Sequence, residues 1–159
     1  MPAPNSPAVL TGYALFDPPG QPPQPLLHPS DTRTGVRHSL LPMVHAVLAD
    51  LLSPDEADEH FALIEQHLLG PDGARLFDAP FAYRGGPQQL FQRAESSSYF
   101  GREIGLMYTH AHLRYAEALA HLGRAEAFWQ ALNLAHPVDL KQRLPSAAPR
   151  QANCYFSSS

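Results

Sequence analysis

The chain has 159 residues, 44% hydrophobic and 16% charged, which is typical of a globular protein with one core. A net charge of -4 with a single lysine, Lys141, argues against nucleic-acid binding and against a polybasic membrane patch. No apolar run approaches the ~20 residues of a membrane span, and the N-terminus lacks a signal-peptide pattern. The one cysteine, Cys154, permits no internal disulfide, which is typical of a reducing compartment, so we expect a cytoplasmic protein. Its charge and hydropathy lead us to expect neither nucleic acid nor a membrane as partner.

Residues 1–30 carry more than half of the 17 prolines, which block helix interiors, so this part is predicted to be a proline-rich irregular connection. Residues 31–159 are predicted to form the folded unit. The apolar stretch GYALF, residues 12–16, fits either a strand or a patch that docks on a neighbour, and its sequence does not separate the two.

A polar segment follows, LLHPSDTRTGVRHS, which gathers Asp31, Arg33 and two histidines around a glycine. Such density suits a solvated turn, but the same groups could also hydrogen-bond sugar hydroxyls. A solvated turn is the favoured interpretation, and a sugar-binding site is the alternative.

Two helices are predicted next, over residues 40–52 and 54–69. The first has Ser39 as a candidate cap. The second begins with a capping box made by Ser53 and Glu56 and has Pro54 at its first position. Its apolar stripe recurs at spacings of three and four, which predicts a buried face composed of Ala57, Phe61, Ile64 and Leu68. His60 and His67 fall on its other faces and are predicted to meet solvent.

Residues 73–98 show no sustained period and form a longer connection than is usual, which is typical of functional loops. Aromatic rings beside arginines and a carboxylate, notably Tyr83, Arg93 and Glu95, are common in sugar subsites. A loop that packs its own aromatic side chains is the alternative.

The clearest helical period covers residues 101–122. On a continuous helix Glu103 and His110 would lie on one face, about 10.5 Å apart along the axis. From periodicity alone, a solvated helix face is the favoured interpretation for His110. His110 and His112 would lie about 200° apart around that helix, so we predict no metal site between them. His112 falls beside Tyr108 on the buried stripe and is predicted to be a hydrogen-bonded core residue.

A last helix is predicted over residues 124–134, with Ala125, Phe128, Trp129 and Leu132 facing inward. The chain from residue 136 onward reads as irregular and looks cut rather than finished at its C-terminus. The predicted fold class is therefore all-α, with long irregular loops.

Four segments together resemble glycoside hydrolase family 94, the inverting oligosaccharide phosphorylases, and most of all its 1,2-β-oligoglucan phosphorylase branch. In chain order they are LLHPSDTRTG, LLPM, RAESSSYFGREIGLMYTHAHLRYAEALAHLG and NLAHPVDLKQRLPSAAPRQANCYFSSS. The third and fourth are the most specific. Because members of that family are several times longer, the resemblance implies that this chain is an incomplete sector of a catalytic (α/α)6 barrel.

The resemblance also implies a reaction, in which inorganic phosphate cleaves a β-1,2-glucooligosaccharide to give α-glucose 1-phosphate. The family's glutamate and histidine, seven residues apart, match Glu103 for the transferred sugar and His110 for phosphate. Further substrate-binding residues are expected at Tyr108, Arg93, Glu95, Asp31 and Gln151. Phosphate is a co-substrate, and no cofactor or metal is expected.

Two parts of the family pattern have no match in this chain. The aspartate motif that supplies the general acid is expected upstream of it, and the loop that completes the phosphate site is expected downstream. A fragment without the acid should be inactive alone and should need the missing remainder of its catalytic domain as a partner. The alternative interpretation is a helical carbohydrate-binding or interaction module that performs no catalysis.

Overall fold

The computed structural model describes residues 14–16, 19–33, 35–79, 106–136, 138, 142, 145, 148–149 and 155–157. These residues form four helices, which are α1 (Leu40–Leu48), α2 (Pro54–His67), α3 (Thr109–His121) and α4 (Ala125–Ala135). Short strands complete the fold, and they are β1 (Ala14–Phe16), β2 (Gln24–Leu26), β3 (Leu69–Gly70), β4 (Gly73–Ala74), β5 (Leu106–Tyr108), β6 (Ala148–Pro149) and β7 (Tyr155–Ser157).

The strands pair in three small antiparallel sheets. β1 pairs with β2, so the GYALF segment contains a strand, and β3 pairs with β4 around a tight turn. β7 lies between β5 and β6, which brings the last described residues of the chain beside the start of α3. The all-α expectation is therefore right about the helices and wrong about the sheets, while the partial (α/α)6 barrel stays a prediction.

The core lies between α1, α2, α3 and α4, with α3 packed against both α1 and α4. The stripe predicted for α2 is buried as expected, and each of its four members is no more than 2% exposed. Other apolar side chains that are at most 2% exposed include Leu27, Val36, Leu40, Met43, Val44 and Leu119.

The ends of the first two helices follow from local chemistry. In α2, the Ser53 backbone N–H donates to Glu56 Oε2 at 2.8 Å and the Glu56 N–H donates to Ser53 Oγ at 3.4 Å, so the predicted capping box is confirmed. Ser39 precedes α1 but makes no side-chain capping bond. α1 ends four residues before the predicted boundary because Asp50 adopts a left-handed backbone with φ 53°.

The inward orientation predicted for α4 is right for Phe128, which packs partly against the core, and wrong for Ala125 and Trp129, which are exposed. Trp129 is 58% exposed, and the buried residue of this helix is Ala131. Residues two apart on a helix point about 200° away from each other, so the face that packs on α3 through Ala131 turns Trp129 towards solvent. Ala127 and Phe128 pack partly against the core on the same side as Ala131.

Candidate functional site

The start of α3 is a junction of several segments. β5 leads directly into the helix, and Tyr108 occupies the N-cap position with an extended backbone. Across the sheet Tyr108 is in register with Tyr155 of β7, while Met107 forms a bridge with Arg75 just after β4. Residues far apart in sequence therefore meet where α3 begins.

His110 lies in the first turn of α3 and is exposed. Its imidazole meets the half-buried Tyr108 ring edge-on, with ring centroids 5.0 Å apart and an interplanar angle of 82°. Tyr108 provides no side-chain cap and the first turn holds no acidic residue. Within the described residues of this first turn, no acidic side chain counters the positive end of the helix dipole, so an anion would be favoured there beside the His110 donor.

The predicted helix from residue 101 is wrong at its beginning, since residues 106–108 are a strand and the helix starts at Thr109. This removes the argument that Glu103 and His110 share one helical face, because that argument needs an unbroken helix between them. Glu103 itself lies outside the described residues, as do Arg93, Glu95 and Gln151, so their roles stay predictions.

His112 is a buried core residue, as predicted. It is 0% exposed, its Nδ1 accepts the backbone N–H of Ala74 at 2.9 Å, and its Nε2–H donates to the Ala131 carbonyl at 2.7 Å. One imidazole therefore joins β4, α3 and α4. Burial lowers the pKa of His112, against the opposing effects of the Ala131 bond and the nearby Asp72 carboxylate. With His110 exposed and His112 enclosed, the two histidines occupy separate environments.

Asp31 organises the turn before α1. Its side chain is 3% exposed, Oδ2 accepts the Leu27 N–H at 2.8 Å, and Oδ1 accepts the Arg33 N–H at 2.7 Å. The Asp31 N–H donates in turn to the His28 carbonyl at 2.7 Å. These bonds support the turn interpretation of the segment. The substrate-binding role of Asp31 stays a prediction.

The structure also groups ionisable side chains that the sequence patterns did not connect. His38 is buried and bonds Asp78, and His67 stacks on His38. His60, predicted to meet solvent, is 0% exposed and its Nδ1 lies 2.6 Å from the Glu56 carbonyl, so that prediction is wrong. Local periodicity cannot predict a contact between residues 40 positions apart, such as His38 and Asp78. The many polar residues around His38 were a partial sign that this segment takes part in a hydrogen-bond network.

No helix among the described residues has both the length and the apolar composition that a membrane crossing requires. Within the same described part of the chain, no three histidine, cysteine, aspartate or glutamate side chains are grouped so that they could bind a metal ion.

Comparison with known proteins supports the resemblance seen in the sequence. No family profile matches the chain. A 1,2-beta-oligoglucan phosphorylase of Listeria innocua serovar 6a is 43% identical to it over 155 residues, which are 98% of this chain and 14% of that relative. The match thus covers almost all of this chain but only a small part of the bacterial protein. Along nearly its whole length, the chain is similar to one segment of a 1,2-β-oligoglucan phosphorylase.

Proposed function

We propose that this chain is part of the catalytic domain of an inverting phosphorylase of glycoside hydrolase family 94, acting on β-1,2-glucooligosaccharides in the cytoplasm. The observation that carries the proposal is the 43% identity to an oligoglucan phosphorylase over 98% of the chain. Since the chain spans 14% of that relative, the reaction belongs to the longer enzyme and this chain supplies a portion of its site.

In the proposed reaction an oxygen of inorganic phosphate attacks the anomeric carbon of the terminal glucose. The bond from that carbon to the glycosidic oxygen breaks, and a carboxylic acid protonates the departing oxygen. The products are α-glucose 1-phosphate and a glucan shortened by one unit. Phosphate brings its own negative charge, so the site needs hydrogen-bond donors and positive potential around it rather than a second carboxylate as base.

Two groups of residues have distinct roles in this proposal. His110 binds phosphate, supported by its exposure in the first turn of α3, where a helix N-terminus without acidic side chains favours anions. Glu103 holds the transferred sugar. The neighbouring sugar contacts come from Tyr108, Arg93, Glu95, Asp31 and Gln151. The general acid comes from the remainder of the domain, and the reaction uses phosphate as co-substrate without a cofactor.

The test is to replace the histidine at the position of His110 by alanine in a full-length phosphorylase of this type. Loss of one charge-assisted hydrogen bond to phosphate costs about 1.5–3 kcal/mol. At about 1.4 kcal/mol per tenfold, the affinity for phosphate should fall roughly ten- to a hundredfold. Steady-state kinetics with phosphate as the varied substrate measure this loss.

Two histidines on the same helix provide matched controls. His121 is exposed at the far end of α3, so its replacement by alanine should leave the phosphate dependence unchanged. His112→Ala should lower stability without a selective effect on phosphate, since this side chain is enclosed. An unchanged Michaelis constant for phosphate in His110→Ala, together with a raised one in either control, would refute the role of His110.

The role of Glu103 needs a separate measurement. Glu103→Gln keeps the shape of the side chain but weakens hydrogen bonds from sugar hydroxyls, so kcat/KM for the glucan should fall more than the affinity for phosphate. Equal losses for both substrates would contradict a role confined to the sugar.

A further inference from the structure

The outward side of α4 is nearly uncharged. The helix has the sequence AEAFWQALNLA, in which Glu126 is the one charged residue. Its exposed positions are Ala125, Glu126, Trp129, Gln130 and Asn133. Trp129, the single tryptophan of the chain, is 58% exposed in the middle of this set. A large aromatic ring is therefore turned to solvent among small and uncharged neighbours.

The outward side of α2 has a different composition. Four of its exposed positions carry carboxylates, which are Asp55, Asp58, Glu59 and Glu65. Charged side chains of this kind are typical of the solvated face of an amphipathic helix. The side of α4 around Trp129 lacks this character, and its exposed apolar area is of the kind that other protein segments cover.

The packing of the described helices leaves the outward side of α4 open. α3 packs on both α1 and α4, and the buried residue through which α4 turns inward is Ala131. The first turn of α4 is also concave, with an open recess of about 390 Å³ that is lined by Arg124, Ala125, Glu126, Ala127 and Gln130. Because helices pack by inserting the side chains of one into the grooves of another, a further helix could lie here.

The charges at the recess indicate what such a helix should carry. Arg124 donates to the Asp58 carboxylate, and its guanidinium lies 4.8 Å from the centroid of the Phe61 ring. This cation is therefore already held by α2. Glu126 is the other charged residue that lines the recess, so a covering segment should place a cation or a hydrogen-bond donor opposite it.

We propose that the outward side of α4, formed by Ala125, Trp129 and the recess, binds an amphipathic helix of the longer phosphorylase that lies outside this chain. The inference rests on the proposed function in one respect, namely that the chain is part of a longer enzyme. Since the chain spans 14% of the Listeria innocua relative, most of that protein lies outside the matched segment and is available to supply the helix. Apolar side chains of this helix cover Trp129, and a basic or donor side chain faces Glu126.

The first test measures the accessibility of Trp129 by hydroxyl-radical oxidation and mass spectrometry, since trypsin releases this residue in one peptide, residues 125–141. The chain alone is compared with a chimera in which it replaces the matched segment of the Listeria innocua relative. Each oxidation rate is divided by the rate of the same protein unfolded in urea. In the chain alone Trp129 should be oxidised readily, and in the chimera its rate should fall to that of the buried Phe61.

Equal normalised rates for Trp129 in the chain and in the chimera would overturn the proposal. Protection in the chain alone that rises with its concentration would assign this surface to a second copy, and protection by added β-1,2-glucan would assign it to sugar; either result would also overturn it. Phosphorolysis by the chimera is measured separately, so loss of the proposed reaction is distinguished from loss of the contact. If the chimera does not fold, the unmodified relative is oxidised instead, and the positions matched to Ala125 and Trp129 should be as protected as its core.

The second test compares Trp129→Lys with Ala62→Lys in the chimera. Ala62 is exposed on α2 among carboxylates and is the matched control, because lysine is compatible with that face. Trp129→Lys removes a covered ring and buries a charge, so Tm should fall by on the order of 5–10 °C, while Ala62→Lys should melt with the parent. In the chain alone both variants should melt close to the parent. A Trp129→Lys chimera as stable as the Ala62→Lys chimera would overturn the proposal.

Discussion

His112 shows how one side chain joins distant parts of this chain. Its Nδ1 accepts a hydrogen bond from the Ala74 N–H, and its Nε2–H donates one to the Ala131 carbonyl. Both hydrogen bonds are buried. Burial lowers the pKa of His112, so the neutral ring is the folded form. Its contribution to stability is present above pH 6.5 and is lost as the pH falls below that value.

Replacing His112 by phenylalanine should therefore destabilise the chain. The ring volume is kept, but two hydrogen bonds are lost and a buried donor and acceptor remain, at about 1–3 kcal/mol for each group. We expect a total loss of about 2–6 kcal/mol in the free energy of unfolding, measured by urea denaturation. The exposed His121, replaced in the same way, is the control, and a His112→Phe variant as stable as that control would contradict the interpretation.

At the scale of elements, the β3–β4 hairpin can lie close to β5 and α3 because its residue at the contact is a glycine. Gly73 has φ 123°, and a Cβ built there would lie 2.7 Å from Met107 Cγ and 3.1 Å from His112 Nδ1. The backbone conformation and the close approach both require the absence of a side chain. This contact sets the distance between the hairpin and the junction that carries Tyr108 and His110.

Gly73→Ala should cost more than Gly123→Ala, which is the matched control. Gly123 also has a positive φ, 70°, but a Cβ built there would meet no neighbouring atom within 4 Å. We expect about 1 kcal/mol for the control from backbone strain, and about 1–3 kcal/mol more for Gly73→Ala from overpacking. Equal losses of unfolding free energy would show that the hairpin can move away from Met107 without cost.

For the molecule as a whole, the proposed function predicts that the chain alone does not carry out phosphorolysis. Protonation of the departing oxygen requires an acid that we expect outside this chain. The measurement is release of glucose 1-phosphate from β-1,2-glucooligosaccharides by the purified chain, with a full-length phosphorylase as the positive control. Turnover above the blank would contradict the proposal.

Several features followed from the sequence because they depend on neighbours within one or two turns of helix. The capping box of Ser53 and Glu56, the buried stripe of α2 and the separation of His110 from His112 are of this kind. The resemblance to an oligoglucan phosphorylase was also readable, since it rests on residue identity.

Other features were decided only by tertiary contacts. Residues 106–108 have a helical period in the sequence, yet they form a strand because β7, nearly 50 residues later, pairs with them. Because α4 meets α3 through the side that carries Ala131, Trp129 is exposed, although the sequence predicted that it faces inward. Likewise, the contacts of His38 with His67 and Asp78 join residues 29 and 40 positions apart. Periodicity describes one segment at a time, so it cannot report the partner that a segment meets in the folded chain.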